Sequence, residues 1–301
     1  MTYLCAKLSQ MRKTYEVAGH KFALVMPDDS PAWDKTHNYD PFVTDNTNDC
    51  DFTVEKKDEW YDTSAKKSLC YTASEKEDKM RIDFYEWKDM MLLEIAPAWA
   101  APANLYVLMD KDHTWAQFYE CEDSVYSFNI VLMLMYSVSR AKEDTMLIHA
   151  SVTMKDGKGY LFLGKSGTGK STHSQLWINN IEGCSLLNDD NPVVRIESNG
   201  EVRVYGSPWS GKTPCYRNLN VPVGAFVSLR QAKQNAIKRL SMVEAYTIVY
   251  ISFTGFKFVE ELADGYHNMN TRLISSVPFY GLECLPDADA AFLCYKTVTQ
   301  Q

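Results

Sequence analysis

The fold of this chain is decided by one stretch in its second half, Gly164-Lys165-Ser166-Gly167-Thr168-Gly169-Lys170-Ser171. The stretch matches G-x-x-x-x-G-K-[ST], the phosphate-binding P-loop or Walker A pattern, at every fixed position. The apolar residues 160–163 before it are typical of a strand, and residues 172–177 after it can continue as a helix. A strand, a glycine-rich loop and a helix in this order predict a parallel-sheet unit at the centre of an α/β fold.

Each residue type in the loop has a physical role. Glycines adopt positive φ, and successive backbone N–H groups can then surround an oxyanion. A helix that begins near Lys170 adds unpaired N–H groups and the positive end of its dipole. We therefore expect Mg-ATP, with Lys170 on the outer phosphates and the Ser171 hydroxyl on Mg²⁺. The predicted nucleotide contacts are Gly164, Lys165, Ser166, Gly167, Thr168, Gly169, Lys170, Ser171 and Thr172.

Two adjacent carboxylates, Asp189 and Asp190, follow soon after the loop. A helix of about eleven residues from Lys170 spans roughly 16 Å. Gly183 can end that helix, and the chain can then return along residues 184–187. This path predicts both aspartates at the carboxyl edge of the sheet, beside the phosphates. One can hold Mg²⁺ and the other can act as a base toward a hydroxyl, but the sequence leaves open which does which.

Patterns elsewhere predict two domains, a β-rich region 1–142 and a nucleotide-binding domain 143–301. In the first we expect a buried helix that begins at Asp123 or Ser124 and ends before Glu143. The strands expected there are 21–26, 50–55, 79–87, 90–95, 105–109 and 114–119, with polar loops at 27–48 and 64–79. In the second we expect strands 145–153, 159–163, 184–187, 202–205 and 223–229, and helices 171–181, 243–251 and 258–268.

Composition and charge indicate which partners and which cellular compartment to expect. A formal net charge of -8 argues against nucleic acid as a partner. The eight cysteines form no C-x-x-C pattern, and the first residues lack an apolar signal core. The apolar residues 125–139 are fewer than the roughly 20 that a membrane span needs. We expect a soluble cytoplasmic protein that binds neither a membrane nor nucleic acid.

The motifs together resemble a known family. His149-Ala150-Ser151, the loop and Leu187-Asn188-Asp189-Asp190 are similar to the catalytic domain of HPr kinase/phosphorylase, whose nucleotide core is shared with phosphoenolpyruvate carboxykinases. The segment 206–212, Gly-Ser-Pro-Trp-Ser-Gly-Lys, also looks like a loop of that group. The resemblance implies ATP-dependent, Mg²⁺-assisted transfer to a serine-like hydroxyl of a protein or small molecule. It places Asp189 and Asp190 as base and metal contact, puts His149 in the active site, and permits a homo-oligomer.

Other residues and other functions stay open. Lys212 and Arg217 follow a Gly-Ser-Pro turn and are candidates for binding an acidic substrate or the transferring phosphate. His173 is expected on the surface of the helix after the loop. Residues 1–140 do not look like the usual HPr-kinase regulatory domain, and no segment matches the one that recognises HPr. Two alternative functions are a non-catalytic nucleotide-binding sensor and a carboxykinase-like enzyme. The carboxykinase-like enzyme would need more metal ligands and a longer chain.

Overall fold

The computed structural model describes residues 9–47, 49–73, 80–121, 127–141, 143–211 and 213–300. The chain divides into two compact units, Met1–Ser139 and Arg140–Gln301. Each unit contains one sheet in which parallel and antiparallel pairs are mixed. The fold is therefore mixed α/β with two mixed sheets.

The first unit is built on an eight-stranded sheet in the order β1-β2-β3-β8-β7-β6-β5-β4. Its strands are β1 Gln10–Val17, β2 His20–Pro27, β3 Phe52–Lys56, β4 Lys67–Ala73, β5 Arg81–Trp87, β6 Met90–Ala96, β7 Leu105–Met109 and β8 Trp115–Glu120. The polarity alternation expected in 79–87 is present in β5, where Ile82 and Phe84 are buried and their neighbours are partly exposed. Two of the described strands in this unit, β1 and β4, were not predicted. The first pairs along its whole length with β2 through a turn at Ala18 and Gly19, both of positive φ.

The predicted buried helix is α1, Ser127–Ser139. Its end agrees with the expectation, whereas the start expected at residue 123 or 124 lies outside the described residues. The helix packs on the first unit's own sheet: the Tyr136 ring contacts Phe22 and Phe52, and its hydroxyl donates to the Val17 carbonyl at 3.1 Å. Among the described residues, no helix has the length and apolar character needed to cross a membrane.

The second unit is a sheet in the order β12-β10-β11-β15-β14-β13-β9-β17, extended by β18 beside β15 and by β16 beside β18. Its strands are β9 Thr145–Ile148, β10 Ala150–Lys155, β11 Lys158–Leu163, β12 Ser185–Asp190, β13 Val193–Ile196, β14 Val202–Tyr205, β15 Asn220–Gln231, β16 Ala236–Arg239, β17 Phe253–Thr254 and β18 Phe279–Cys284. Its helices are α2 Lys170–Asn180, α3 Met242–Ser252, α4 Glu260–Ser276 and α5 Ala288–Thr299.

Three neighbouring strands of this sheet, β11, β15 and β18, run parallel. On the other side of β11, β10 is antiparallel to both β11 and β12. The strand β12 therefore runs in the same direction as β11, with β10 inserted between them. A hydrophobic core under α2 and α5, centred on Phe162 and Trp177, covers one face of these strands.

The single strand expected over 145–153 is interrupted at His149. Its first half, β9, pairs with β13 and β17, and its second half, β10, pairs with β11 and β12. At the break, the His149 N–H donates to the Ser252 carbonyl at 2.7 Å. The chain thus changes its pairing partners at His149, which leaves that side chain at the junction of the two strands.

Candidate functional site

The glycine-rich loop, residues 164–171, follows β11 directly. Gly164, Gly167 and Gly169 have φ of 151°, 82° and 107°, a range that L side chains rarely adopt. The loop closes on itself, since both the N–H and the hydroxyl of Thr168 donate to the Lys165 carbonyl, at 3.1 and 2.6 Å. Glycine therefore stands at each of the three positive-φ positions of the loop.

The loop leads into α2, whose first residue is Lys170. The N-cap is Gly169, so no side chain caps this end, and the first helical bond runs from the His173 N–H to the Gly169 carbonyl at 2.8 Å. Lys170 is buried, and its Nζ donates to the Gly164 carbonyl at 3.0 Å. A buried ammonium at an uncapped helix N-terminus provides positive potential for an anion.

The two aspartates lie at the end of β12, in register with Ala150 and Ser151 of β10. Asp189 is buried, with 5% of its surface exposed, whereas Asp190 is partly exposed. The Asp190 Oδ1 lies 3.3 Å from Nε2 of His149. Burial raises the pKa of Asp190 above its ordinary value, and the neighbouring Asp189 adds to the rise, while His149 and Lys170 oppose it.

The loop, the aspartates and His149 meet at one cavity of about 430 Å³, here called the aspartate cavity. Its lining residues are His149, Ser166, Gly167, Gly169, Lys170, Ser171, Thr172, Asp189, Asp190 and Gly211. Gly164, Lys165 and Thr168 belong to the loop but do not line the cavity. The structure therefore brings together every residue that the sequence marked as catalytic or metal-binding.

Of the two cationic candidates, Arg217 is among the residues that the structure describes. Lys212 lies outside the described residues. Arg217 is exposed and does not line the aspartate cavity. Its carbonyl oxygen instead lies against Gly206, where an added Cβ would stand 2.0 Å from it. The structure gives no support to Arg217 as a phosphate contact.

The segment that contains this glycine, residues 206–211, holds the end of β12 in place. Asn188 Nδ2 donates to the hydroxyl of Ser207 at 3.1 Å, and that hydroxyl donates to the Asn191 carbonyl at 2.6 Å. The Gly211 N–H donates to the Asp189 carbonyl at 2.7 Å. Sequence reasoning missed Asn188 and Ser207 as positioning residues. The sequence did contain a signal for this role, because a polar side chain that is buried beside an Asp pair needs a hydrogen-bond partner.

His173 is the clearest error of the sequence reading, since it was expected on the surface and only 2% of it is exposed. Its ring packs edge-on against Phe162, and its Nε2 accepts from Trp177 Nε1 at 3.2 Å. Burial lowers the pKa of His173 to about 4, so the ring is neutral near pH 7. Beside it, the Ser151 and Ser174 hydroxyls bond at 2.6 Å and join β10 to α2.

The oxygen atoms at the aspartate cavity suit a hard divalent cation. Mg²⁺ binds through one or two carboxylates, with phosphate oxygens and water completing its octahedron. Ser171, Asp189 and Asp190 supply protein oxygens of this kind. Among the described residues there is no group of three or more His, Cys, Asp or Glu side chains that could hold a metal alone. The oxygen donors of Ser171, Asp189 and Asp190 are chemically compatible with Mg²⁺.

No protein-family model and no curated protein sequence matches this chain. Among solved structures, the chain is similar to the Hpr(Ser) kinase/phosphatase from Coxiella burnetii, with 15% sequence identity and a TM-score of 0.31. The match covers 50% of this chain and 87% of that chain. The likeness is distant, and the function proposed below rests on the residues of this chain.

Proposed function

We propose that this protein is an ATP-dependent kinase that transfers a phosphoryl group, with Mg²⁺, to a serine-like hydroxyl of a protein or small molecule. The observation that carries the proposal is that the glycine-rich loop and the His149–Asp190 pair face the same cavity. A loop of this kind binds phosphates, and a carboxylate opposite it can accept the proton of an attacking hydroxyl.

The loop side of the cavity supplies charge neutralisation. The backbone N–H groups and the α2 N-terminus hold the phosphate chain. Lys170 exchanges its contact with the Gly164 carbonyl for a contact with the outer phosphates. Mg²⁺ bound through the Ser171 hydroxyl and an aspartate would neutralise the β- and γ-phosphate oxygens. Positioning and charge stabilisation of this kind provide most of the catalysis in phosphoryl transfer.

The aspartate side supplies the base. Of the two carboxylates, we assign this role to Asp190, because it is partly exposed to the cavity and is oriented by His149. Asp189 is more deeply buried and is the better placed metal contact. In the step, the acceptor oxygen forms a bond to the γ-phosphorus and the bond from that phosphorus to the β,γ-bridging oxygen breaks. The acceptor proton moves to Asp190, and ADP leaves.

The proposal is tested with the purified chain, γ-labelled ATP, Mg²⁺ and cell extract. The wild type should label an acceptor, and Lys170→Ala should lower the rate by about 10²-fold or more. Asp190→Asn should lower it by about 10²–10⁴-fold while nucleotide still binds. The matched controls are Asp156→Asn, in the exposed turn between β10 and β11, and Lys158→Ala, at the exposed first residue of β11. Labelling by the wild type that does not exceed that by Lys170→Ala would refute the kinase.

The same variants separate the kinase from a nucleotide-binding sensor. A ligand at 100 times its Kd stabilises the folded chain by about 2.7 kcal/mol, so binding is visible in a thermal melt. A sensor would be stabilised by ATP and lose this effect in Lys170→Ala, yet label nothing. Its function in cells would survive Asp190→Asn, whereas a kinase would be impaired.

A further inference from the structure

A second cavity, of about 390 Å³, lies beside the glycine-rich loop; we call it the leucine cavity. It shares Gly167, Gly169 and Thr172 with the aspartate cavity, so these loop residues stand between the two. Its other lining residues are Thr168, His173, Leu176, Leu229, Gln231, Ala232, Cys284, Leu285 and Pro286. Apart from Thr168 of the loop, none of these additional residues has a part in the proposed phosphoryl-transfer step.

The position of the leucine cavity follows from the sheet. The strands β11, β15 and β18 are parallel and adjacent, so their carboxyl ends lie at one edge. The loop follows β11. Gln231 ends β15 and Ala232 follows it, and Leu285 and Pro286 follow β18. Open α/β sheets bind ligands outside the carboxyl ends of their strands. The two cavities therefore occupy neighbouring stretches of the same edge, the aspartate cavity toward β12 and the leucine cavity toward β18.

The walls of the leucine cavity are mainly apolar, with Leu176, Leu229, Leu285 and Pro286 around it. Leu285 keeps 38% of its surface exposed at this site, which leaves apolar area for a ligand to cover. Gln231 links the wall to the loop, since its Nε2 donates to the carbonyls of Gly167 and Thr168, each at 3.3 Å. An apolar pocket of this size with a few polar groups suits a flat heterocycle better than a further phosphate.

The segment that carries Leu285 is held in place. The Ala232 N–H donates to the Cys284 carbonyl at 3.1 Å, and the Leu285 N–H donates to Asn235 Oδ1 at 2.8 Å. Asn235 in turn donates to Asp287 Oδ1 at 2.9 Å. A wall whose backbone groups are already paired is preorganised, so a ligand loses less affinity to ordering it.

We propose that the leucine cavity binds the nucleoside of the nucleotide whose phosphates lie on the loop. The base contacts Leu285 and Pro286 after β18, the phosphate chain crosses the loop, and the terminal phosphate reaches Asp190 after β12. The nucleotide thus lies across the edge of the sheet with a defined direction. This inference rests on the proposed function, because it needs a phosphate chain on the loop.

The test compares ATP with inorganic tripolyphosphate, which has the phosphates without the nucleoside, by calorimetric titration of the full chain with Mg²⁺. Ala232→Trp places an indole in the half-buried lining of the cavity. It should weaken ATP binding about tenfold or more and leave tripolyphosphate binding within about twofold. Leu219→Trp, at an exposed leucine that does not line the cavity, is the matched control and should change neither.

A second, smaller substitution keeps the test valid if the Ala232→Trp variant does not fold. Leu285→Ala removes an exposed side chain and should weaken ATP binding about three- to tenfold without affecting tripolyphosphate, with Leu219→Ala as control. If either variant weakens both ligands equally, or leaves ATP binding unchanged, the nucleoside assignment is wrong while the phosphate role of the loop stands. If the wild type binds neither ligand, the proposed function fails as well.

Discussion

His173 and Trp177 form a buried pair one turn apart on α2, the helix that begins at the glycine-rich loop. The pair contacts Phe162 on β11, the strand that leads into the loop. Polar neighbours on the helix make His173 look like a surface residue in the sequence. The available signal is Trp177, four residues later, because residues at i and i+4 share a helix face. A buried imidazole here anchors the first turn of α2 against the strand before the loop.

We predict that this pair is energetically coupled. His173→Phe removes the acceptor of the Trp177 indole N–H, and Trp177→Phe removes the donor to the His173 ring. Each change should lower the free energy of unfolding by about 1–3 kcal/mol. In urea denaturation, the double variant should lose less free energy of unfolding than the two single variants lose together. The difference should be about 0.5–3 kcal/mol. The control is a second double-variant cycle at Gln175 and Asn179, which form an exposed i,i+4 hydrogen bond on the same helix. Their coupling energy should stay below about 0.5 kcal/mol. Equal coupling in the two cycles would contradict the prediction.

At the scale of elements, α3 shows how a local pattern sets a helix boundary. Its N-cap Ser241 accepts from the Glu244 N–H at 3.3 Å, and the Ser241 N–H donates to Glu244 Oε2 at 2.9 Å. This reciprocal capping box satisfies two backbone donors that a helix start leaves free. Lys238, on β16, donates to the same carboxylate at 2.7 Å. Lys238 and then Ser241 lower the pKa of Glu244 to about 2.

The capping box predicts a pH-dependent contribution to stability. The folded pKa of Glu244, about 2, is below its ordinary value of 4.5. The contribution is therefore complete above pH 4.5 and is lost as the pH falls toward 2. Glu244→Gln should lower the thermal midpoint at pH 7, and the difference from the wild type should shrink below pH 4.5. Glu182→Gln, at an exposed turn residue, is the control. A difference that does not vary with pH would show that the ionised carboxylate is not what stabilises α3.

Elements with strong local patterns could be predicted from the sequence, and those that depend on distant partners could not. The strands β7 and β14 have the expected bounds, and α2 begins and ends one residue before its predicted limits. The break at His149 depends on a hydrogen bond to Ser252, on a helix end far along the chain. The strand β1 is exposed over its first three residues, which show no alternation of polarity with burial, and it is defined by its pairing with β2. For the site, local spacing was enough to predict that the loop and Asp190 share an edge. The close approach of the Arg217 carbonyl to Gly206 depends on tertiary packing and was not predictable.

At the scale of the whole molecule, the two units each have their own sheet and their own buried residues. The division falls between Ser139 and Arg140. All residues that line the aspartate and leucine cavities belong to Arg140–Gln301. A unit with its own core can fold alone, so the proposed nucleotide site should not need the first unit to exist.

We therefore predict that residues 140–301, expressed alone, unfold in one cooperative transition and are stabilised by Mg-ATP. At 100 times its Kd the nucleotide should add about 2.7 kcal/mol, measured as a shift of the thermal midpoint by circular dichroism. Lys170→Ala in the same piece should unfold at a similar temperature but lose the shift, because the change removes a phosphate contact and leaves the core intact. A broad, non-cooperative melt would show that the second unit depends on the first for its fold. A cooperative melt without an ATP shift, when the full chain shows one, would place part of the nucleotide site in the first unit.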